Sequence, residues 1–174
     1  PEIKELSKPI LHLILFDRAA SARHFGALQV FDAAGELTID ASTLDPRKEN
    51  RGDEEYFRVH RDNPDSGLFI SKPMLHRSAY AIVLSRRITD QDGGFLGVVA
   101  GSIRFSYFHD LFGRLSLGPD DTITVLRQDR TIIMRRPFDL DIIGKNLADR
   151  ASWNPANMNS GSYAGAGPVD PIPR

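Results

Sequence analysis

The stretch from Tyr80 to Phe105, YAIVLSRRITDQDGGFLGVVAGSIRF, constrains this chain most, because two apolar, β-rich runs flank a short polar segment holding two aspartates and two glycines. That pattern is a hairpin, with Asp90, Asp92, Gly93 and Gly94 expected to supply the φ > 0 positions of its connection. Tyr80 to Leu84 and Phe95 to Ala100 are near-continuous apolar runs. Strands that alternate so little are covered on both faces, which places the hairpin mid-sheet. Ser85, Arg86 and Arg87 close one strand, while Ser102 and Arg104 interrupt the end of the other, so a cluster of donors lies along an otherwise apolar sheet.

The rest of the chain reads as the surroundings of that hairpin. Residues 3 to 24 carry Ile3, Leu6, Ile10, Leu13, Ile14 and Phe16 near helical spacing, with Pro9 as a kink, and the second half is apolar most of the way round. Such a helix must bury more than one side, against its own domain or against a partner copy. From Ala27 the period becomes strand-like: ALQVFD, a turn at AAG, then ELTIDA. Thr43 to Gly52 is a polar loop. Asp53 to His60 predicts a short helix that Asp53 can cap, Arg61 to Gly67 a turn, and Leu68 to Met74 a strand. Ser106 to Leu115 predicts a helix with Tyr107, Phe108, Leu111, Phe112 and Leu115 on one face, ended by Gly118 and Pro119.

An internal repeat organises the second half. Leu28, Val30, Phe31, Leu37 and Ile39 recur 95 residues later as Ile123, Val125, Leu126, Ile132 and Met134, which suggests tandem modules. Gly161 to Ala164 falls about where Gly67 to Ile70 predicts a strand. A second module would then stop before its own central hairpin, leaving the Gly/Pro-rich end loosely ordered. The expected layout is a stalk or dimerisation helix over 1–24, a ligand-binding module over 25–117 and a partial module over 118–174.

Bulk properties exclude several functions. With 174 residues, 41% hydrophobic, 26% charged and a net charge of −1, the chain is an ordinary globular one without the clustered basic surface a nucleic-acid binder needs. Zero cysteines rule out a disulfide framework, a thiolate metal site and a cysteine nucleophile. No apolar run approaches the roughly 20 residues of a membrane span, and the start lacks a signal-peptide pattern, so the chain reads as an excised soluble piece. His12, His24, His60, His76 and His109 show no zinc-helix spacing with acids, and neither a nucleophile elbow around Ser85 nor a phosphate loop occurs. The expectation is a non-enzymatic domain with no metal and no cofactor.

The order of long helix, hairpin, EEYFRVHRDNPDSGLFISKP and LSRRITDQDGGFLGVVAGSI resembles the PAS-like extracytoplasmic sensor modules called Cache or PDC domains. The likeness is to the double-module type of bacterial membrane diguanylate cyclases and histidine kinases, and it covers roughly residues 5 to 150. Its most specific part is the combination of YFRxHRDNP, FISKP and LSRRI followed by DGxFxGVV. The resemblance implies an α+β fold: a five-stranded antiparallel PAS-like sheet with flanking helices and a long N-terminal helix, followed by an incomplete second PAS-like module. It also implies a small-molecule site on the membrane-distal module, periplasmic placement, and membrane attachment only through segments absent from this chain.

The same resemblance places the ligand-facing positions at Tyr56, Arg58, His60, Phe69, Ser71, Lys72, Ser85, Arg87, Ser102 and Arg104. Strand alternation sets Val98, Ala100, Ser102 and Arg104 on one face, with small residues leaving room and a guanidinium at the end. That favours an anion, and an organic acid first. Amino-acid-binding members of the family hold the ligand carboxylate with an Arg shortly before the aromatic pair and its amine with an Asp late in the fifth strand. This sequence carries Glu54 and Arg104 there, which disfavours an α-amino acid in the usual orientation and favours a carboxylate-bearing or uncharged ligand. The reading is therefore a sensing domain that dimerises through residues 3–24. The alternatives are a ligand-free structural or dimerisation spacer, which a Glu54–Arg104 pair closing the site would produce, and a small hydrolase.

Overall fold

The computed structural model describes residues 10, 25–76, 79–116, 118 and 120–147. The helix expected over residues 3–24, apart from position 10, and the strand expected at 161–164 lie outside them. The chain divides into two compact units, Pro1–Gly118 and Pro119–Arg174.

In the first unit, strands β1 (Phe25–Asp32), β2 (Leu37–Asp40), β3 (Leu68–Ile70), β4 (Met74–His76), β5 (Ala79–Thr89) and β6 (Phe95–Arg104) form one antiparallel sheet. Its order is β2-β1-β6-β5-β3, with β4 also pairing with β5. Helix α1 (Glu55–Asp62) lies between β2 and β3 in the chain, and α2 (Phe105–Gly113) follows β6. The hairpin of β5 and β6 is mid-sheet, as its apolar runs require. Of the four turn residues expected at φ > 0, Gly93 alone adopts it, at 84°. Asp90 instead ties the turn by accepting the backbone N–H groups of Asp92 at 3.0 Å and Gly94 at 2.7 Å. Gly97, at φ 144°, pairs with Asp32, and a Cβ there would run into the Phe31 carbonyl. Only glycine lets β1 and β6 approach this closely.

Three sequence expectations shift. The helix begins one residue later than Asp53 predicts: Glu54 is the N-cap, without a side-chain cap bond, and its carboxylate is drawn to Arg51 at 3.1 Å. The strand expected over 68–74 is split, which is why the sheet has six strands and not five. Ser71 Oγ accepts the Val83 N–H at 2.8 Å and donates to the Lys72 carbonyl at 2.7 Å, so the ladder passes through a side chain, and Pro73 has no N–H to continue it. Pairing resumes at Met74 opposite Ala81. Finally, α2 starts at Phe105, whose buried ring stacks on Tyr80 at 5.8 Å, while Leu111 and Leu115 are exposed.

In the second unit, β7 (Ile123–Leu126) and β8 (Ile132–Arg136) form a two-stranded sheet. The 95-residue offset of the sequence holds residue by residue in its register. Gln29↔Asp40, Val30↔Ile39 and Phe31↔Leu37, with a bulge after Val30, recur as Thr124↔Arg135, Val125↔Met134 and Leu126↔Ile132, with a bulge after Val125. A loop asparagine closes each hairpin: Asn50 Nδ2 donates to the Ala34 carbonyl at 3.0 Å, and Asn146 Nδ2 to the Asp129 carbonyl at 2.7 Å.

Candidate functional site: the sheet face under helix α1

Register sorts the inward face of the first sheet into rows. Arg87, Val98 and Phe31 lie side by side. Next come Ser85, Ala100, Gln29 and Asp40, then Val83, Ser102 and Ala27, then Ala81 beside Arg104. Helix α1 covers the first two rows. Its 3.6-residue period turns Tyr56, Phe57 and His60 inward, all buried, and turns Arg58 to the opposite side. Phe57 meets Phe95 edge-on at 5.6 Å and Tyr56 lies 6.4 Å from Phe31, which closes the core of Phe31, Leu37, Tyr56, Phe57, Val83, Val98 and Ala100.

A polar clamp fastens this helix to β5. His60 is 0% exposed, with Nε2 2.9 Å from Ser85 Oγ and Nδ1 2.6 Å from Ser66 Oγ. Ser85 has one hydroxyl proton and gives it to the Tyr56 carbonyl at 2.9 Å. The arrangement that satisfies every group therefore has His60 Nε2–H donating to Ser85 and Ser66 O–H donating to Nδ1. Arg87 completes the clamp: Nη1 donates to the His60 carbonyl, Nη2 to the Gly93 carbonyl at 3.4 Å, and its guanidinium carbon lies 4.6 Å above the centre of the Phe95 ring. Burial holds the His60 ring below the ordinary histidine pKa, and Arg87 pushes in the same direction against the bonding at Ser85.

The clamp leaves Arg87 Nε buried without a partner, and the polar face beyond it holds a second such atom. Ser102 is 2% exposed, yet its hydroxyl has no hydrogen-bond partner. Gly26 lies against it: a Cβ at that position would come within 2.6 Å of Ser102 Oγ and 3.4 Å of Arg104 Cγ, so the glycine leaves the hydroxyl its space. Arg104 is exposed at the end of β6, where it is the N-cap of α2. The buried carboxylate of Asp40 accepts Gln29 Nε2 at 3.0 Å, Ser42 N at 2.9 Å and Ser42 Oγ at 2.6 Å.

The ten candidate side chains thus separate. His60, Ser71, Ser85 and Arg87 are engaged in hydrogen bonds that hold the frame, and Tyr56 is buried under α1, where desolvation raises its phenol pKa. Ser102 and Arg104 lie together near the α2 end of β6, the first buried and the second exposed. Lys72 is exposed, and Arg58 lines a surface depression of about 290 Å³ with Glu55, Val59, Asp62, Asn63 and Phe69, between α1 and β3. Glu54 makes no ion pair with Arg104; its partner is Arg51, which also pairs with Glu49. Sequence reasoning missed Gln29, Asp40 and Arg51. The signal for the first two was available, since period-2 alternation from Phe31 puts Gln29 on the inward face. Among the described residues no group of three or more His, Cys, Asp or Glu could hold a metal ion, and no helix is long and apolar enough to cross a membrane.

An antiparallel sheet with helices packed on it is the fold of solved extracellular sensor domains of histidine kinases, chemoreceptors and GGDEF proteins, and this chain shares it, consistent with a Cache/PDC-like sensor domain. The extracellular domain of rpHK1S-Z16, described as a histidine kinase, superposes with a TM-score of 0.74 at 26% identity, covering 97% of this chain and 70% of that one. An extracellular ligand-binding receptor from Desulfohalobium retbaense gives 0.62 at 22% identity over 91% of this chain, which spans 28% of the receptor. The ligand-binding domain of the Pseudomonas fluorescens chemoreceptor CtaA, in complex with L-valine, gives 0.62 at 18% identity, over 83% of this chain and 64% of that one. These neighbours are sensor domains, not catalytic ones. No family model and no curated protein matches the sequence.

Proposed function

We propose that this chain is the ligand-sensing, extracytoplasmic part of a bacterial inner-membrane signalling protein, a histidine kinase or diguanylate cyclase, and that its ligand binds at the open end of the α1-covered sheet face. The observation that carries this reading is the Ser102 hydroxyl, 2% exposed and without a partner. An unsatisfied buried hydroxyl costs about 1–3 kcal/mol, and a ligand that bonds to it recovers that cost. The sensor-domain neighbours support the site class, and the complexes of CtaA with L-valine and L-serine show that such domains hold small organic molecules.

The charges around Ser102 favour a carboxylate-bearing or uncharged ligand over an α-amino acid. Asp40 is already engaged by Gln29 and Ser42, and Glu54 by Arg51, so neither carboxylate waits for an ammonium group. Among the described residues Arg104 makes no ion pair, and its guanidinium offers paired donors at the end of the strand. Calorimetry with small mono- and dicarboxylates against the standard amino acids, on wild type and on Arg104→Asp, tests this. The expectation is carboxylate binding that weakens at least tenfold in the variant. Tight amino-acid binding by wild type, undiminished in Arg104→Asp, would overturn it.

The signal would leave through residues 3–24 acting as a parallel homodimer stalk, with ligand favouring one of two arrangements of sheet and helix. Sedimentation of wild type and Leu13→Asp decides the dimer, since an unpaired charge buried in an interface weakens it.

A further inference from the structure

The clamp on α1 is built from the one side chain whose ordinary charge change falls between about pH 5 and 8, and it is built without a counterion. The groups facing His60 can be taken element by element. From β5 come the Ser85 hydroxyl and the Arg87 guanidinium; from the turn after α1, the Ser66 hydroxyl; from β3, the edge of the Phe69 ring at 6.4 Å. The inward side chains of β6 at this level are Val98 and Ala100. On its own helix, Arg61 and Asp62 pair with each other in solvent at 2.8 Å, and Asp65, Asp90 and Asp92 are exposed. The nearest formal charge is thus Arg87, of the same sign as a protonated imidazole and fixed to the His60 carbonyl.

We infer that the seating of α1 on the sheet is a second input to this domain: acidification of the medium protonates His60 and releases the helix and the turn after it, while the central hairpin stays folded. The hydrogen bonds alone would tolerate the proton, because Ser66 is half-buried and its hydroxyl can turn from donor to acceptor. What the proton adds is a charge in a fully buried ring beside Arg87. The sign follows. With the folded pKa below the unfolded value of about 6.5, the unfolded or detached state binds more protons in the window beneath 6.5. Seating is therefore fully stable above that pH and weakens as pH falls through the window toward the lower folded value. Because α1 forms one side of the proposed ligand site, acidification would also lower the affinity of that site. This consequence rests on the function proposed above; the release of the helix does not.

Hydrogen exchange on the ligand-free chain tests the device without any ligand. Between pH 7.5 and pH 5.5, after correction for intrinsic rates, protection of amides 56–62 should fall severalfold more than that of amides 82–86 and 98–102, up to a limit of about tenfold set by the unfolded pKa of about 6.5. In His60→Gln, which keeps polar atoms in the slot and does not titrate there, the differential should vanish. Should that variant fail to fold, the imidazole Cε1–H resonance of His60 in wild type and in Arg87→Gln gives a second reading. Removing the neighbouring cation should raise the apparent pKa of His60. Loss of protection that is uniform along the chain, a differential that persists in His60→Gln, or a His60 resonance that titrates at the ordinary value would each overturn the inference.

Discussion

The two ends of one sheet face are built to opposite rules. Under α1, Phe57, Phe31 and Val98 are dry, and the hydroxyl and imidazole groups of Ser85 and His60 are fully paired. One row along the same strands, Ser102 is as buried as Ser85 and has no partner, with Val83 and Ala27 beside it and Gly26 against its hydroxyl. Two serines, at 1% and 2% exposure, therefore do different work: one fastens a helix, and the other keeps its bonding capacity for something else. A polar group that folding leaves unsatisfied marks a place where stability has been given up.

The contrast can be tested from its strongest side downward. Phe57→Ala should cost about 3–5 kcal/mol in urea unfolding, because it empties a fully buried slot between α1 and the sheet, where the ring meets Phe95. Ser85→Ala should cost about 1–3 kcal/mol by the same measurement, since it strands the His60 Nε2–H and the Tyr56 carbonyl together. Ser102→Ala should not destabilise the ligand-free chain and should raise its stability by up to about 1–3 kcal/mol, because no bond is lost and an unsatisfied buried hydroxyl is removed. If Ser102→Ala proved as costly as Ser85→Ala, the two ends would not differ, and the open site would have to be sought elsewhere.

Much of this frame is legible in the sequence, and the part that is not has a common cause. The β5–β6 hairpin, the α1 segment and the 95-residue repeat are local patterns, set by alternation, by the Asp90–Gly94 turn and by matched apolar spacing. The break at Ser71 was missed because a serine hydroxyl replacing a ladder carbonyl leaves no periodic trace until Val83 is brought opposite it. The clamp depends on His60 meeting Ser85, 25 residues away, and Arg87 was read as a ligand contact because nothing local says that the His60 carbonyl will use it. Arg58 stands apart from the clamp for a simpler reason: one helical turn has an inside, and position 58 lies opposite Tyr56 and His60. The vacancy in the bonding of Ser102 is a property of its neighbours, so no single-sequence argument could have found it.

The interruption at Ser71–Pro73 has a further consequence, for aggregation. Among the described residues β3 and β4 form one margin of the sheet, three residues each, with exposed Leu68, Ile70 and Leu75. An unbroken apolar margin seven residues long would be a template for a foreign strand. Moving one ladder bond onto a serine side chain and following it with a proline cuts that template into pieces too short to recruit a neighbour. The cut leaves the pairing with β5 intact on both sides.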